Sequence, residues 1–205
     1  MAQEDFVTAP LHTREGQGVG MFFPSYYLAP ISYYARLAHE TSVRIDLDEP
    51  YSKQTLRNRC YIASPNGPLA LTIPVVKFVP YHTPMRDIRI SDHGDWRHLH
   101  WNALVSSYRR TPFFEYYADD FAPFYEKKWE FLVDYNQALQ DLVCEEIGLM
   151  ANGQIQMTND KGLTTNGQRP YYQLFSDRNG FMPDLSIVDL LFNLGPEALL
   201  YLLAP

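Results

Sequence analysis

Cysteine is scarce in this chain: Cys60 and Cys144 are the only two in 205 residues. That is too few, and too widely spaced, for a disulfide framework or a C-x-x-C metal or redox pair. A reducing compartment is expected. Long apolar runs are missing too, since the most apolar stretch, Leu185 to Leu203, is broken by Asp189, Asn193, Gly195, Pro196 and Glu197. Such a stretch does not make a membrane span, and no membrane insertion is expected. The opening MAQEDFVTAPLHTREGQG carries acids where a secretory signal has basic residues. The expected location is the cytoplasm. Positive charge is also short: 17 Lys and Arg face 24 Asp and Glu, a net charge of −7, so a nucleic acid meets repulsion and no DNA partner is expected. There is no Walker A loop, no G-x-S-x-G elbow and no H-E-x-x-H. Gly16, Gly18 and Gly20 lack the dinucleotide spacing and precede the first expected strand. No motif specifies a cofactor, whose identity stays unknown.

Present instead are ordinary globular proportions, 46% hydrophobic and 20% charged, with an unusual 15% of aromatic residues that includes 15 Tyr and 12 Phe. Tyrosine in quantity suits half-buried surfaces, where the ring packs and the hydroxyl meets something polar. The length fits one domain. Residues 1–18 read as a loose arm and 19–205 as a single α/β domain, α+β in detail. It comprises an N-terminal βαβ unit, a β-hairpin and a mixed sheet, then a mainly helical C-terminal half.

Val19 to Phe23 is a short apolar run followed by a Pro- and Tyr-rich loop, and Ile31, Tyr34 and Leu37 take helical spacing up to His39. Val43, Ile45 and Leu47 alternate with Arg44, Asp46 and Asp48, the period of a strand. Strand, helix, strand makes a parallel βαβ opening. Asn66-Gly67 between Arg59–Ala63 and Pro68–Val76 signals a hairpin. Met85 to Ile90 alternates and is expected to be a strand. Trp96, His100, Leu104 and Tyr108 at steps of four predict a helix ending near Arg110. Thr111-Pro112 and Ala122-Pro123 offer two further helix starts. Leu132, Tyr135, Leu139, Leu142, Val143 and Ile147 form one stripe closed by Gly148. Ser186 to Asp189 resembles a capping box before a short helix that Gly195-Pro196 ends.

Chemistry-bearing residues are few. Lys53, Arg57 and Arg59 form the one concentrated basic cluster, in a loop and strand start. They hold a phosphate or carboxylate, or they pair with Asp46, Asp48 and Glu49; both readings stand. His98 and His100 diverge on a helix at ~100° per residue, so no metal is expected. His100 is a hydrogen-bonded core histidine or a general base lining a cleft. Tyr26, Tyr27 and Pro30 stack on a sugar or seal the core. Cys60, beside Arg59, reads as a buried, inert thiol.

Tyr27-Leu28-Ala29-Pro30, Lys53 with Asn58-Arg59, Asn66-Gly67 before Leu71-Thr72-Ile73-Pro74-Val75, and the series Trp96, His100, Tyr108, Pro112 together resemble the WbqC-like protein family. The resemblance runs from about Val19 to Ile147. The tail, with Gly180-Phe181-Met182-Pro183 and Asp189 to Glu197, resembles a Bacteroidetes-type branch. The family commonly has Gln-Pro-x-Tyr-Leu-Pro in the first loop; Phe23 to Pro30 here lacks the Gln and inserts a residue. The resemblance implies a place in surface-glycan or O-antigen synthesis, with an acyl or aminoacyl group, glycine in one suggestion, transferred to an amino sugar or sugar nucleotide. It implies His100 and Asn58 as catalytic, the first taking a proton and the second orienting substrate or an oxyanion. Lys53, Arg57, Arg59, Tyr27, Asp48, Trp96 and Tyr108 are then the substrate-binding candidates, and the partner is a small, sugar-like or anionic molecule. A homo-oligomer is compatible. The alternative is a non-catalytic glycan- or nucleotide-sugar-binding protein of the same pathway.

Overall fold

The structure is a computed structural model that describes residues 21–40, 42–79, 82–149 and 169–204. The expected arm, 1–18, lies outside them. β1 (Met21–Pro24) and β2 (Val43–Asp46) pair in parallel, with Phe23 opposite Ile45. Parallel neighbours need a crossover, and α1 (Ile31–Ala38) supplies it, burying Ile31, Tyr34, Ala35 and Ala38 at helical spacing.

β3 (Arg59–Ile62) and β4 (Leu69–Thr72) form the expected antiparallel hairpin. Ser64 and Gly67 exchange backbone hydrogen bonds of 3.1 Å, and Gly67 adopts φ 102°, a left-handed conformation glycine enters without penalty. Each sheet holds two strands, so the expected mixed sheet is realised as separate parallel and antiparallel pairs. Met85–Asp87 is a 3₁₀ turn, not the start of a strand. Met85 and Ile88 are both buried at a spacing of three, which a tight turn satisfies. The chain is extended from Ile88, and Arg89 and Ile90 each form an isolated bridge, to Phe131 and Val75.

The helical half begins with α2 (Trp96–Tyr108), α3 (Phe114–Glu126) and α4 (Leu132–Glu146). Pro123 lies inside α3 and starts nothing, which corrects the reading of Ala122-Pro123. Phe121 and Tyr125, buried on either side of it, hold that turn helical. Gly148 at φ 74° follows α4 as expected. After α5 (Ser176–Asn179) come α6 (Ile187–Leu194), a 3₁₀ turn at Gly195–Glu197, and α7 (Ala198–Leu203).

Phe192 of α6 is the hub of the core, with Tyr108, Phe114 and Phe121 edge-on at centroid distances of 5.3, 5.2 and 5.4 Å. Ser186 precedes α6, but its hydroxyl donates to the Leu28 carbonyl at 2.8 Å instead of capping the helix. Ile187 N–H donates to Ala29 O at 2.9 Å and Ile31 N–H to Leu185 O at 3.0 Å. The Tyr-Leu-Ala-Pro loop is thus stitched to a segment about 150 residues later. Among the described residues, no helix is long and apolar enough to cross a membrane.

Candidate functional site

The loop between β1 and α1 carries Tyr27, whose N–H donates to Leu56 O at 2.9 Å. Its ring stacks on His100 at 5.7 Å and on Tyr135 at 5.9 Å. Its hydroxyl lies 3.0 Å from His100 Nδ1 and 3.1 Å from the Tyr125 hydroxyl. His100, four residues into α2 from Trp96, also hydrogen-bonds the Thr72 backbone. Burial pushes its pKa from 6.5 to about 4, opposed by that bond. The ring is therefore neutral at physiological pH. With Nδ1 against the Tyr27 hydroxyl and a hydrogen bond to the Thr72 backbone, the neutral ring has one N–H to give and one nitrogen to accept with.

Thr72 joins two sets of candidates. Opposite it in the ladder is Arg59, whose Nε donates to Thr72 Oγ1 at 2.9 Å. Next in the ladder, Asn58 Nδ2 donates to Ile73 O at 2.8 Å, while Asn58 Oδ1 is buried with no partner. Alternation along a strand separates these side chains. Cys60 and Leu71 face inward, towards the buried layer that holds His100, whereas Arg59 and Thr72 occupy the half-buried outer face. His100 and Arg59 therefore meet on opposite sides of one strand.

On the outer side Arg59 has no carboxylate partner among the described residues. Tyr51, buried beside Arg57 and Arg59, has a hydroxyl without a hydrogen-bond partner, and burial raises its pKa to about 12 against the pull of both cations. Phe78 packs edge-on to Tyr51 at 4.7 Å, and Lys53 Nζ stands over the Phe78 ring at 5.3 Å. Arg57 is committed elsewhere, bidentate on Glu49 at 3.0 and 2.5 Å. Asp48 is exposed and paired with Arg86. The Arg57–Glu49 pair realises the structural alternative for one member of the basic cluster, while Asp48 is taken by Arg86 from outside it.

Trp96 packs edge-on to His100 at 5.2 Å. Tyr108 is buried within the core, where its hydroxyl accepts from Ala63 N–H at 2.9 Å and donates to Asp189 Oδ1 at 2.9 Å. His98, on the other side of α2, is exposed and bonded to Asn102 at 2.8 Å. Burial pushes the Cys60 thiol far up, as befits an unreactive side chain.

Residues 25–169 match the WbqC-like protein family. The chain belongs to that family. The match contains every candidate named above from Tyr27 to Tyr135, and stops short of α5 to α7. This WbqC-like chain is also 28% identical over 222 residues to the uncharacterized protein Rv1507c of Mycobacterium tuberculosis, covering 87% of this chain and 94% of the relative. No solved structure matches it.

Sequence reasoning passed over three residues that the WbqC-like fold brings to the site, and a fourth, Asp189, on the far side of the core. Tyr51, Phe78 and Tyr125 lie in no periodic pattern with their partners. In the sequence Asp189 is a break in an apolar stretch and the last residue of a capping box. It is wholly buried, accepts from Tyr108, Tyr171 and, at 2.9 Å, Gln173 Nε2, and faces no cation among the described residues. Burial raises its pKa, with the three donors pulling the other way.

Proposed function

We propose that this protein binds an anionic, sugar-like small molecule on the outer face of the β3–β4 hairpin and serves acyl or aminoacyl transfer to an amino sugar or sugar nucleotide in surface-glycan synthesis. The observation that supports this most is Arg59. Its only partner among the described residues is the neutral Thr72 hydroxyl, while the neighbouring Arg57 is neutralised by Glu49. A guanidinium fork with free N–H groups beside an unpaired phenol and an exposed ammonium matches a phosphate or carboxylate next to hydroxyls. Lys53 and Arg59 take the anion in this reading, Tyr51 and Phe78 line the sugar, and Asn58 fixes the strand edge.

Transfer itself requires an acceptor amine or hydroxyl to form a bond to the acyl carbon as the leaving group departs with its electron pair. The acceptor's proton goes to a base. In this reading His100, neutral but on the inner side of the strand from Arg59, takes the proton only through a relay, with Tyr27, hydrogen-bonded to Nδ1, as its last group. A second reading, a binding protein without catalysis, is favoured by one observation: His100 is buried and both of its nitrogens are engaged.

Incubation with acyl donors and amino-sugar nucleotides, followed by mass spectrometry of the products, separates the two. A mass increase that His100→Gln lowers by about 10²–10⁴-fold supports proton transfer. Binding without product supports the second reading. Arg59→Gln should weaken binding of the sugar nucleotide by about tenfold to a hundredfold, the worth of a charge-assisted contact; unchanged affinity overturns the placement of the ligand.

A further inference from the structure

The first turn of α2 and the segment before α4 bring together polar atoms that the hairpin site does not use. Nε1 of Trp96, Nε1 of Trp129 and Nη1 of Arg97 are buried, and none has a hydrogen-bond partner. All three are donors with no accepting capacity. Trp96 and Trp129 both stand edge-on to Tyr135, at 5.7 and 5.6 Å, and the Arg97 guanidinium lies 5.1 Å from the Trp96 ring. Trp96 is only 4% exposed. A buried donor left unpaired is destabilising, and these three, two on rings packed against Tyr135 and one on a guanidinium over Trp96, share one chemical need, an acceptor.

Two ammonium groups stand beside these donors. Lys127 Nζ stands 4.8 Å from the Trp129 ring, and Lys128 Nζ reaches Asp92 at 2.8 Å. Asp95 precedes α2 without a side-chain hydrogen bond to its first turn, so the positive end of that helix is uncapped. Asp92 bridges Arg97 Nη2 and Lys128. It shows, with a carboxylate of the chain itself, the kind of group this place accepts.

We propose that Arg97, Trp96 and Trp129, with Lys127 and Lys128 at the rim, form a second anion site, selective for a carboxylate or phosphate group of a small molecule. A carboxylate or phosphate oxygen would take the indole and guanidinium hydrogens together, in a setting where burial strengthens charged hydrogen bonds. The site is independent of the hairpin ligand.

The test is a titration of intrinsic tryptophan fluorescence with inorganic phosphate in one arm and acetate in the other. The expected result is a saturable change in at least one arm, which also names the source class. Arg97→Gln should weaken it about tenfold or more, Asp92→Asn should tighten it by removing the competing carboxylate, and Arg59→Gln should leave it unaltered. Trp129→Phe keeps an aromatic ring and deletes only the N–H donor, so it serves if Arg97→Gln does not fold. No saturable change with either anion, or equal affinity in wild type and a folded Arg97→Gln or Trp129→Phe, overturns the proposal. Loss of the signal in Arg59→Gln alone would place the anion at the hairpin instead.

Discussion

His100 is held neutral between Tyr27 and Thr72, and acid is what opposes that state. Its folded pKa is depressed from 6.5 to about 4, so the unfolded chain takes up a proton before the folded one does. Stability from this group is therefore complete above about pH 6.5 and declines as pH falls towards 4, by about 3 kcal/mol in all. Urea unfolding at pH 7 and pH 4.5 should show the decline. His100→Gln, whose amide can accept from Tyr27 and donate to Thr72, should show a shallower one. An identical acid dependence in the variant would remove His100 as its source. Asp189 is the matching acceptor on the far side of the core. Asp189→Ala strands the Tyr108, Tyr171 and Gln173 donors and should cost about 3 kcal/mol or more in denaturant unfolding. Asp189→Asn keeps an accepting oxygen and should cost clearly less. At this scale the steps of four from Trp96 to Tyr108 made the inward face of α2 legible, His100 included. What Tyr27 and Tyr108 would bond to was not legible, because their partners lie 98 and 81 residues away.

Among the elements, the two glycines that follow helices make a controlled comparison. Gly148 and Gly195 both have positive φ, 74° and 55°, but a Cβ at Gly148 meets only Leu199 at 3.9 Å, whereas one at Gly195 falls 2.5 Å from the Phe113 ring. Gly148→Ala should therefore cost only the left-handed conformation, about 1–2 kcal/mol. Gly195→Ala adds a clash with a ring fixed under α6 and should lower the thermal midpoint further. Equal midpoints would mean that Phe113 yields freely. The parallel β1–α1–β2 unit and the hairpin were readable because period two and Asn66-Gly67 are local signals. The 3₁₀ turn at Met85–Asp87 was not, since Ile88 and Ile90 alternate as in a strand and mask the spacing of three from Met85 to Ile88 that a tight turn satisfies. Pro123 misled for a related reason: burial of Phe121 and Tyr125 outweighs one lost backbone hydrogen bond.

For the molecule as a whole, the decisive contacts run between its distant parts. Ser32 N–H and hydroxyl donate to Asp184 at 2.8 and 2.9 Å, Asn179 Nδ2 donates to Ser64 O at 2.9 Å, and Phe113 N–H donates to Phe192 O at 3.1 Å. A chain joined in this way should unfold in one transition, with coincident midpoints by tryptophan fluorescence and far-UV circular dichroism. Separate midpoints would divide it into two units. The family match ends at residue 169, yet the loop bearing Tyr27 is anchored by Ser186 and Ile187 beyond it. During synthesis, then, the strands, the hairpin and α2 emerge first and have nothing to close against. The Tyr-Leu-Ala-Pro loop takes its final course only after α6 has left the ribosome. Until that moment Leu28 and Ile31 lack the partners of their backbone groups, and a ribosome stalled before residue 184 would display a nascent chain whose hairpin is made but whose Tyr-Leu-Ala-Pro loop is not yet anchored.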